Sequence, residues 1–152
     1  MSADETFMAR ALALAKAAGV AGEAPIGCVI VDAASGEVLA QAANAPIATH
    51  DPSAHGEILA LRAAGATLGN YRLKPDLTVY VTLEPCAMCA GAISHARIAR
   101  LVYGARDPKG GAVESGGRFF ESATCHWRPK VTGGVLAEES ADLLRGFFRA
   151  RR

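Results

Sequence analysis

Thr78-Val79-Tyr80-Val81-Thr82-Leu83-Glu84-Pro85-Cys86-Ala87-Met88-Cys89 is the stretch on which the fold turns. Its first six residues read as a strand, entered through the turn-forming Lys74-Pro75-Asp76. Pro85, whose φ is already set for a first helical turn, starts a helix through Cys86, Cys89 and Ile93. Arg100 to Tyr103 reads as the next strand, and a succession of helices and strands implies an α/β sandwich. Upstream, Ser2 with Glu5 makes a capping box. Phe7, Met8, Ala11, Leu12, Leu14, Ala15 and Ala18 recur at helical spacing before Gly19, which offers a C-cap. Ile26 to Val31 is a nearly continuous apolar run, Asp32 to Glu37 supplies turn residues, and Val38 to Ala43 returns as the second strand of a hairpin. Asp51-Pro52-Ser53 gives capping chemistry ahead of a helix from His55 to Ala64 that ends at Gly65. Downstream, residues 104–118 hold five glycines in a loop too long to be a simple connector. A short strand at Lys130 to Thr132 and a terminal helix from Ala137 complete a single domain over residues 1–152, without internal repeat or linker.

A chain of 152 residues with 51% hydrophobic residues can bury a core without staples. Asp4 and Glu5 stand where a secretion signal would be basic, and no window approaches the ~18 apolar residues of a membrane span. Four cysteines, two of them in a Cys-x-x-Cys, favour metal or redox chemistry in a reducing compartment. The expectation is a soluble, cytoplasmic protein with no membrane partner. The net charge of +1 is unevenly spread. Residues 1–75 carry five Lys/Arg against seven Asp/Glu, residues 76–152 eleven against eight, and the last eight residues hold four arginines and no acid.

Catalytic zinc takes three protein ligands and keeps the fourth tetrahedral position for water. His55, Cys86 and Cys89 are the candidates for one such ion. Two sulfurs at the start of a helix can face one point, and the helix N-terminus lowers the thiol pKa toward the thiolate that a metal requires. Two thiolates cancel the charge of Zn²⁺ and weaken its pull on water, so an external proton acceptor becomes valuable. Glu57, two residues beyond the histidine, can lean over the fourth position without binding the metal. It would take a proton from the water there and deliver it to the ring nitrogen beside the attacked carbon. A thioredoxin-like redox pair leaves His55-x-Glu57 and Pro85 unexplained. A structural site from Cys86, Cys89, Cys125 and His126 would need adjacent residues to reach one ion. Cys28 reads as a core residue, and His50, His95 and Cys125 as loop or helix-end residues.

His55-Gly56-Glu57 together with Pro85-Cys86-Ala87-Met88-Cys89 resembles the H-x-E…P-C-x-x-C signature of zinc-dependent nucleobase deaminases. Beyond it, Ala24-Pro25-Ile26-Gly27, Asn44, His50-Asp51-Pro52-Ser53-Ala54-His55, Asn70-Tyr71-Arg72-Leu73, Tyr80 through Cys86, Gly104-Ala105-Arg106-Asp107 and Phe147-Phe148-Arg149-Ala150-Arg151-Arg152 resemble the bacterial tRNA adenosine deaminases, which convert the wobble adenosine of an arginine tRNA to inosine. Asp107-Pro108-Lys109-Gly110-Gly111 through Phe119-Phe120 and Thr124-Cys125-His126 are similar to one branch of that family. The resemblance implies a three-layer, cytidine-deaminase-like α/β/α sandwich with a mixed sheet of about five strands, and a homodimer that receives an anticodon stem-loop. It implies that Asn44 hydrogen-bonds the flipped base, Ile26 and Leu83 wall the pocket, the Gly56 backbone meets the base edge, and Asp107 approaches the ribose. Phe147 and Arg149 would contact flanking nucleotides. Gly56 departs from the family, which usually has alanine there. The same zinc motif also serves small-molecule deaminases acting on guanine, cytosine or a free nucleoside. The aromatic, basic terminal helix separates the two, since an anticodon loop offers phosphates and unstacked bases that a free base lacks.

Overall fold

The capping box at the N-terminus forms as the spacing predicts: Ser2 Oγ accepts the Glu5 N–H at 3.1 Å, and Glu5 Oε1 accepts the Ser2 N–H at 3.0 Å. In the computed structural model, which describes residues 1–151, it starts α1 (Ala3–Val20). β1 (Gly27–Asp32), β2 (Val38–Ala43), a short α2 (Pro46–Thr49) and α3 (Gly56–Leu68) follow. Then come β3 (Leu77–Leu83), α4 (Ala87–His95), β4 (Arg100–Ala105), a 3-10 turn at Phe119–Glu121, β5 (Lys130–Thr132) and α5 (Ala137–Arg149).

The strands form one mixed sheet in the order β2-β1-β3-β4-β5. β1 pairs antiparallel with β2 and β3, whereas β3–β4 and β4–β5 are parallel. Period-2 alternation divides the apolar side chains between the faces. Cys28, Ile30, Val79, Val81, Leu101 and Tyr103 join Ala60, Leu61 and Ala64 of α3 and Ala90 and Ile93 of α4 in one core. Val29, Val31, Tyr80 and Val102 join Met8 and Ala11 of α1 in the other, with Val135 and Leu136 at the entry to α5 against them. Helices on both faces of a five-stranded mixed sheet give the three-layer α/β/α sandwich that the sequence implied. Among the described residues, no helix is long and apolar enough to cross a membrane.

Three local readings differ. α3 runs through Gly65 and stops at Gly69, whose φ of +68° is the left-handed cap conformation, while Gly65 stays inside the helix. Likewise α1 passes Gly19 to end at Val20. Asp51 does not cap α3: its Oδ1 accepts the N–H and hydroxyl of Ser53 at 2.9 and 2.7 Å, closing a turn, and His55 is the N-cap.

Candidate active site

β3 ends at Leu83, and its continuation Glu84-Pro85 delivers Cys86 to the N-cap of α4. Across the sheet, the loop after β2 delivers His55 to the N-cap of α3. Two helix N-termini therefore converge beyond the carboxyl end of a parallel strand, the place where open α/β sheets bind ligands. The His55 Nδ1 lies 3.6 Å from Cys86 Sγ and 3.5 Å from Cys89 Sγ. Among the described residues these three are the only His, Cys, Asp and Glu side chains grouped so as to hold a metal ion. A tetrahedral zinc with its ordinary Zn–S and Zn–N lengths sets the N···S edge at about 3.6 Å, so the spacing fits that ion.

Cys86 is the more acidic thiol, lowered to about 5, first by the hydrogen bond from Cys89, against burial, and then by the Cys89 N–H and the charge of His55. Cys89 is raised by that same bond, by burial and by Glu57. Glu57, 4% exposed, follows His55 into the first turn of α3. Burial raises its carboxyl above the ordinary value, in part offset by its own N–H, and the Cys86 charge raises it further. An acid kept ready to hold a proton beside a metal-binding trio suits proton transfer.

Ile26, His55, Glu57, Leu83, Glu84, Cys86, Asp107 and Gly110 enclose a cavity of about 250 Å³. Asn44 supports it from behind: it is buried, its N–H donates to Ile26 O at 3.0 Å, and its Oδ1 accepts the Gly56 N–H at 2.7 Å. The Gly56 amide is thereby engaged by Asn44. A Cβ on Gly56 would meet Ala43 Cα and Ile26 O at 3.4 Å, an ordinary contact that accommodates the family's alanine.

α5 meets this site through Leu144, Arg145 and Phe148. A second groove of about 250 Å³ shares Leu83 and Asp107 with the cavity and runs past Arg106 to Leu144, Arg145 and Phe148. Phe147 instead lines a groove with Gly19, Val20 and Pro25 on the α1 side. Arg149 is exposed beside Leu144, Arg145 and Phe148, further along the helix. Phe148 is 51% exposed, while Leu143, Leu144 and Phe147 are half-buried. Arg152 lies outside the described residues.

Cys28 is buried in β1 as expected, and Cys125 bonds to the Trp127 carbonyl at 3.1 Å, apart from the trio. Sequence reasoning assigned no role to Glu84, a buried acid at the cavity wall. The available signal was an acid set directly between an apolar strand and Pro85.

The description of the cytidine and deoxycytidylate deaminase zinc-binding region matches residues 1–105, which hold both half-motifs. The chain belongs to this deaminase family. The deaminase is 53% identical over 146 residues to a tRNA-specific adenosine deaminase of Agrobacterium fabrum, covering 96% of this chain and 94% of that one. A solved structure from work on A-to-I editing by tRNA:A34 deaminases superposes with a TM-score of 0.88 at 52% identity, covering 91% of this chain and 99% of that chain. A guanine deaminase from Nitrosomonas europaea superposes with a TM-score of 0.82 at 26% identity, covering 94% and 83%.

Proposed function

We propose that this deaminase converts adenosine to inosine at the wobble position of a tRNA anticodon, with an arginine tRNA as its substrate. The likeness to tRNA-specific adenosine deaminases over nearly the whole chain carries the reading. The cationic, aromatic groove that leads out of the cavity supports it, because a free base has no phosphates or neighbouring bases to fill one.

His55, Cys86 and Cys89 would hold one zinc ion per chain, which would supply a Lewis acid for activating water. Glu57 accepts the proton of the attacking water, gives it to the ring nitrogen next to the carbon under attack, and assists the departure of ammonia. Ile26 and Leu83 wall the base, the Asn44 amide donates to it, and the Gly56 backbone meets its edge. Asp107 accepts from the ribose. Arg145 and Phe148 take the nucleotide next to the reacting one, a phosphate on the guanidinium and a base on the ring. Arg145 pairs with Asp142, but both are exposed, and such a pair yields readily to a phosphate. Phe147 and Arg149, which lie outside the cavity, contact flanking nucleotides of the stem-loop.

The whole chain acts as one domain in the cytoplasm and as a homodimer.

Deamination of a substrate panel tests the reading. An anticodon stem-loop with wobble adenosine is expected to react well ahead of free adenosine, adenine, cytidine and guanine. The likeness to a guanine deaminase favours one second reading, a small-molecule enzyme. Guanine turned over in preference to the stem-loop would replace the first reading with it.

A further inference from the structure

Glu84 is an acid that the chemistry of deamination does not call for, yet it is 2% exposed at the cavity wall. Its Oε1 accepts the Asp107 N–H at 3.0 Å and the Ser115 hydroxyl at 2.9 Å. Its Oε2 accepts the N–H groups of Val113, Glu114 and Ser115 at 3.1, 2.8 and 2.9 Å. One carboxylate thus gathers five donors, all from the segment between β4 and the 3-10 turn. That segment has no strand or helix, so most of its backbone groups lack ladder partners. Three successive amides aimed at one oxygen make the kind of concavity that elsewhere binds a free anion; here the anion belongs to the chain.

The rest of the loop is shaped to this arrangement. A Cβ on Gly111 would lie 2.6 Å from Glu84 Cδ and 2.7 Å from Oε1, so the backbone passes the carboxylate where only glycine fits. Gly111 N–H donates to Asp107 O at 2.8 Å, and Ala112 N–H donates to Pro85 O at 2.9 Å, one residue ahead of Cys86. Asp107 Oδ1 accepts the N–H groups of Lys109 and Gly110 at 3.2 and 3.0 Å. Backbone and side chain of Asp107 are both fixed, and its second oxygen is the one left for substrate.

We infer that Glu84 is a positioning residue for substrate recognition: it anchors the loop that holds Asp107 over the cavity and so controls how the enzyme grips the sugar of the reacting nucleotide. The inference rests on the reading of the chain as an RNA adenosine deaminase. Charge-assisted bonds are the strong ones, and Glu84→Gln keeps the shape while removing the charge and turning a donor toward the loop's donors. With Asp107 loosened, uniform binding is lost while Glu57 and the metal trio stay in place, so KM rises and kcat holds.

The test uses the full-length, zinc-loaded enzyme and two anticodon stem-loops, carrying adenosine or 2′-deoxyadenosine at the reacting position. Glu84→Gln is expected to raise KM for the adenosine stem-loop by about tenfold with kcat within about twofold. Its preference for ribose over deoxyribose should fall toward one, with zinc stoichiometry unchanged. Ser115→Ala, which removes one of the five bonds, is expected to move KM and preference the same way by about twofold, and it carries the test if Glu84→Gln does not fold. An active wild type whose variants keep its KM and sugar preference, or lose kcat alone, overturns the role of Glu84. A wild type inert on the adenosine stem-loop overturns the RNA reading and this inference with it.

Discussion

Replacing Gly27 with alanine adds one methyl group at the first residue of β1, where α1 crosses the sheet. An ideal Cβ there would lie 2.1 Å from Ala11 O, 2.9 Å from Ala15 N and 3.1 Å from Ala11 C. All three are backbone atoms of α1, so no rotamer change relieves the clash. Taking the closest contact from 2.1 Å to an ordinary 3.4 Å requires α1 to retreat by about 1.3 Å, more than enough to forfeit most of the dispersion energy between facing atoms. Met8, Ala11, Leu12 and Ala15 are buried along that helix, and all of them would lose contact together. Overpacking costs ~1–3 kcal/mol, and displacement of a whole helix belongs at the upper end, about 3 kcal/mol. For a chain of this size, ~2–4 °C is lost per kcal/mol, which gives a fall in Tm of about 6–12 °C. The damage should reach the site, because Gly27 N–H donates to Thr82 Oγ1 at 3.2 Å and Ile26, the residue before it, walls the cavity. The assay is a thermal melt of zinc-loaded protein by circular dichroism, with turnover measured well below the transition. A fall of less than about 2 °C, with turnover unchanged, refutes the close seating of α1 on β1.

Three further outcomes are expected. Glu57→Gln should keep zinc and lose turnover by at least ~10²-fold, whereas Cys86→Ala should lose the metal, as read by metal analysis beside activity; a fully active Glu57→Gln would end its proton-transfer role. Gly56→Ala should keep activity and gain up to ~1 kcal/mol in denaturant unfolding, since its Cβ has room and alanine loses less backbone freedom in a helix; a collapse of activity with zinc retained would count against the assigned substrate. Asp4 is lowered below its usual 3.8, first by its hydrogen bonds from Arg100, against burial, and then by Tyr80, so its stabilising effect is present above that value and lost as pH falls through the lower folded one. Asp4→Asn should therefore melt below the wild type at pH 7, with the gap closing as pH falls below the usual carboxylate value of 3.8; a gap independent of pH would contradict the pairing.

Where the sequence was legible, one residue type at one spacing had a single physical outcome. Ser2 and Glu5 could cap only each other, and the nearly continuous apolar run of β1 could leave neither face wet. The trio of His55, Cys86 and Cys89 came out because two helix starts placed them, and a helix start is among the strongest local signals in a chain. The stop of α3 was not local. Gly65 and Gly69 are the same residue type four positions apart, and the choice falls on Gly69, the one at which the backbone turns left-handed.

Helix phase and buried polar bonds explain the rest. On α5, Phe147 and Phe148 are neighbours in sequence but about 100° apart around the axis, and nothing in the apolar pattern says which one faces Leu83 and Asp107. The sheet decides: Ser140, the only buried residue of α5 and a donor to the Thr82 carbonyl, fixes the rotation and turns Phe148 and Arg145 toward the site. Asn44 is marked in the sequence only by the family resemblance, as a contact to the base. In the fold it bonds Ile26 and Gly56 at once, which makes it a brace between two walls of the cavity. Glu84 carries the same lesson further. An acid at a strand end looks like solvent-facing punctuation until the loop that wraps it is seen, and that loop has no period to read. Its glycines mark where the backbone must pass close to something, as Gly111 passes Glu84, but a glycine in sequence does not name what it passes.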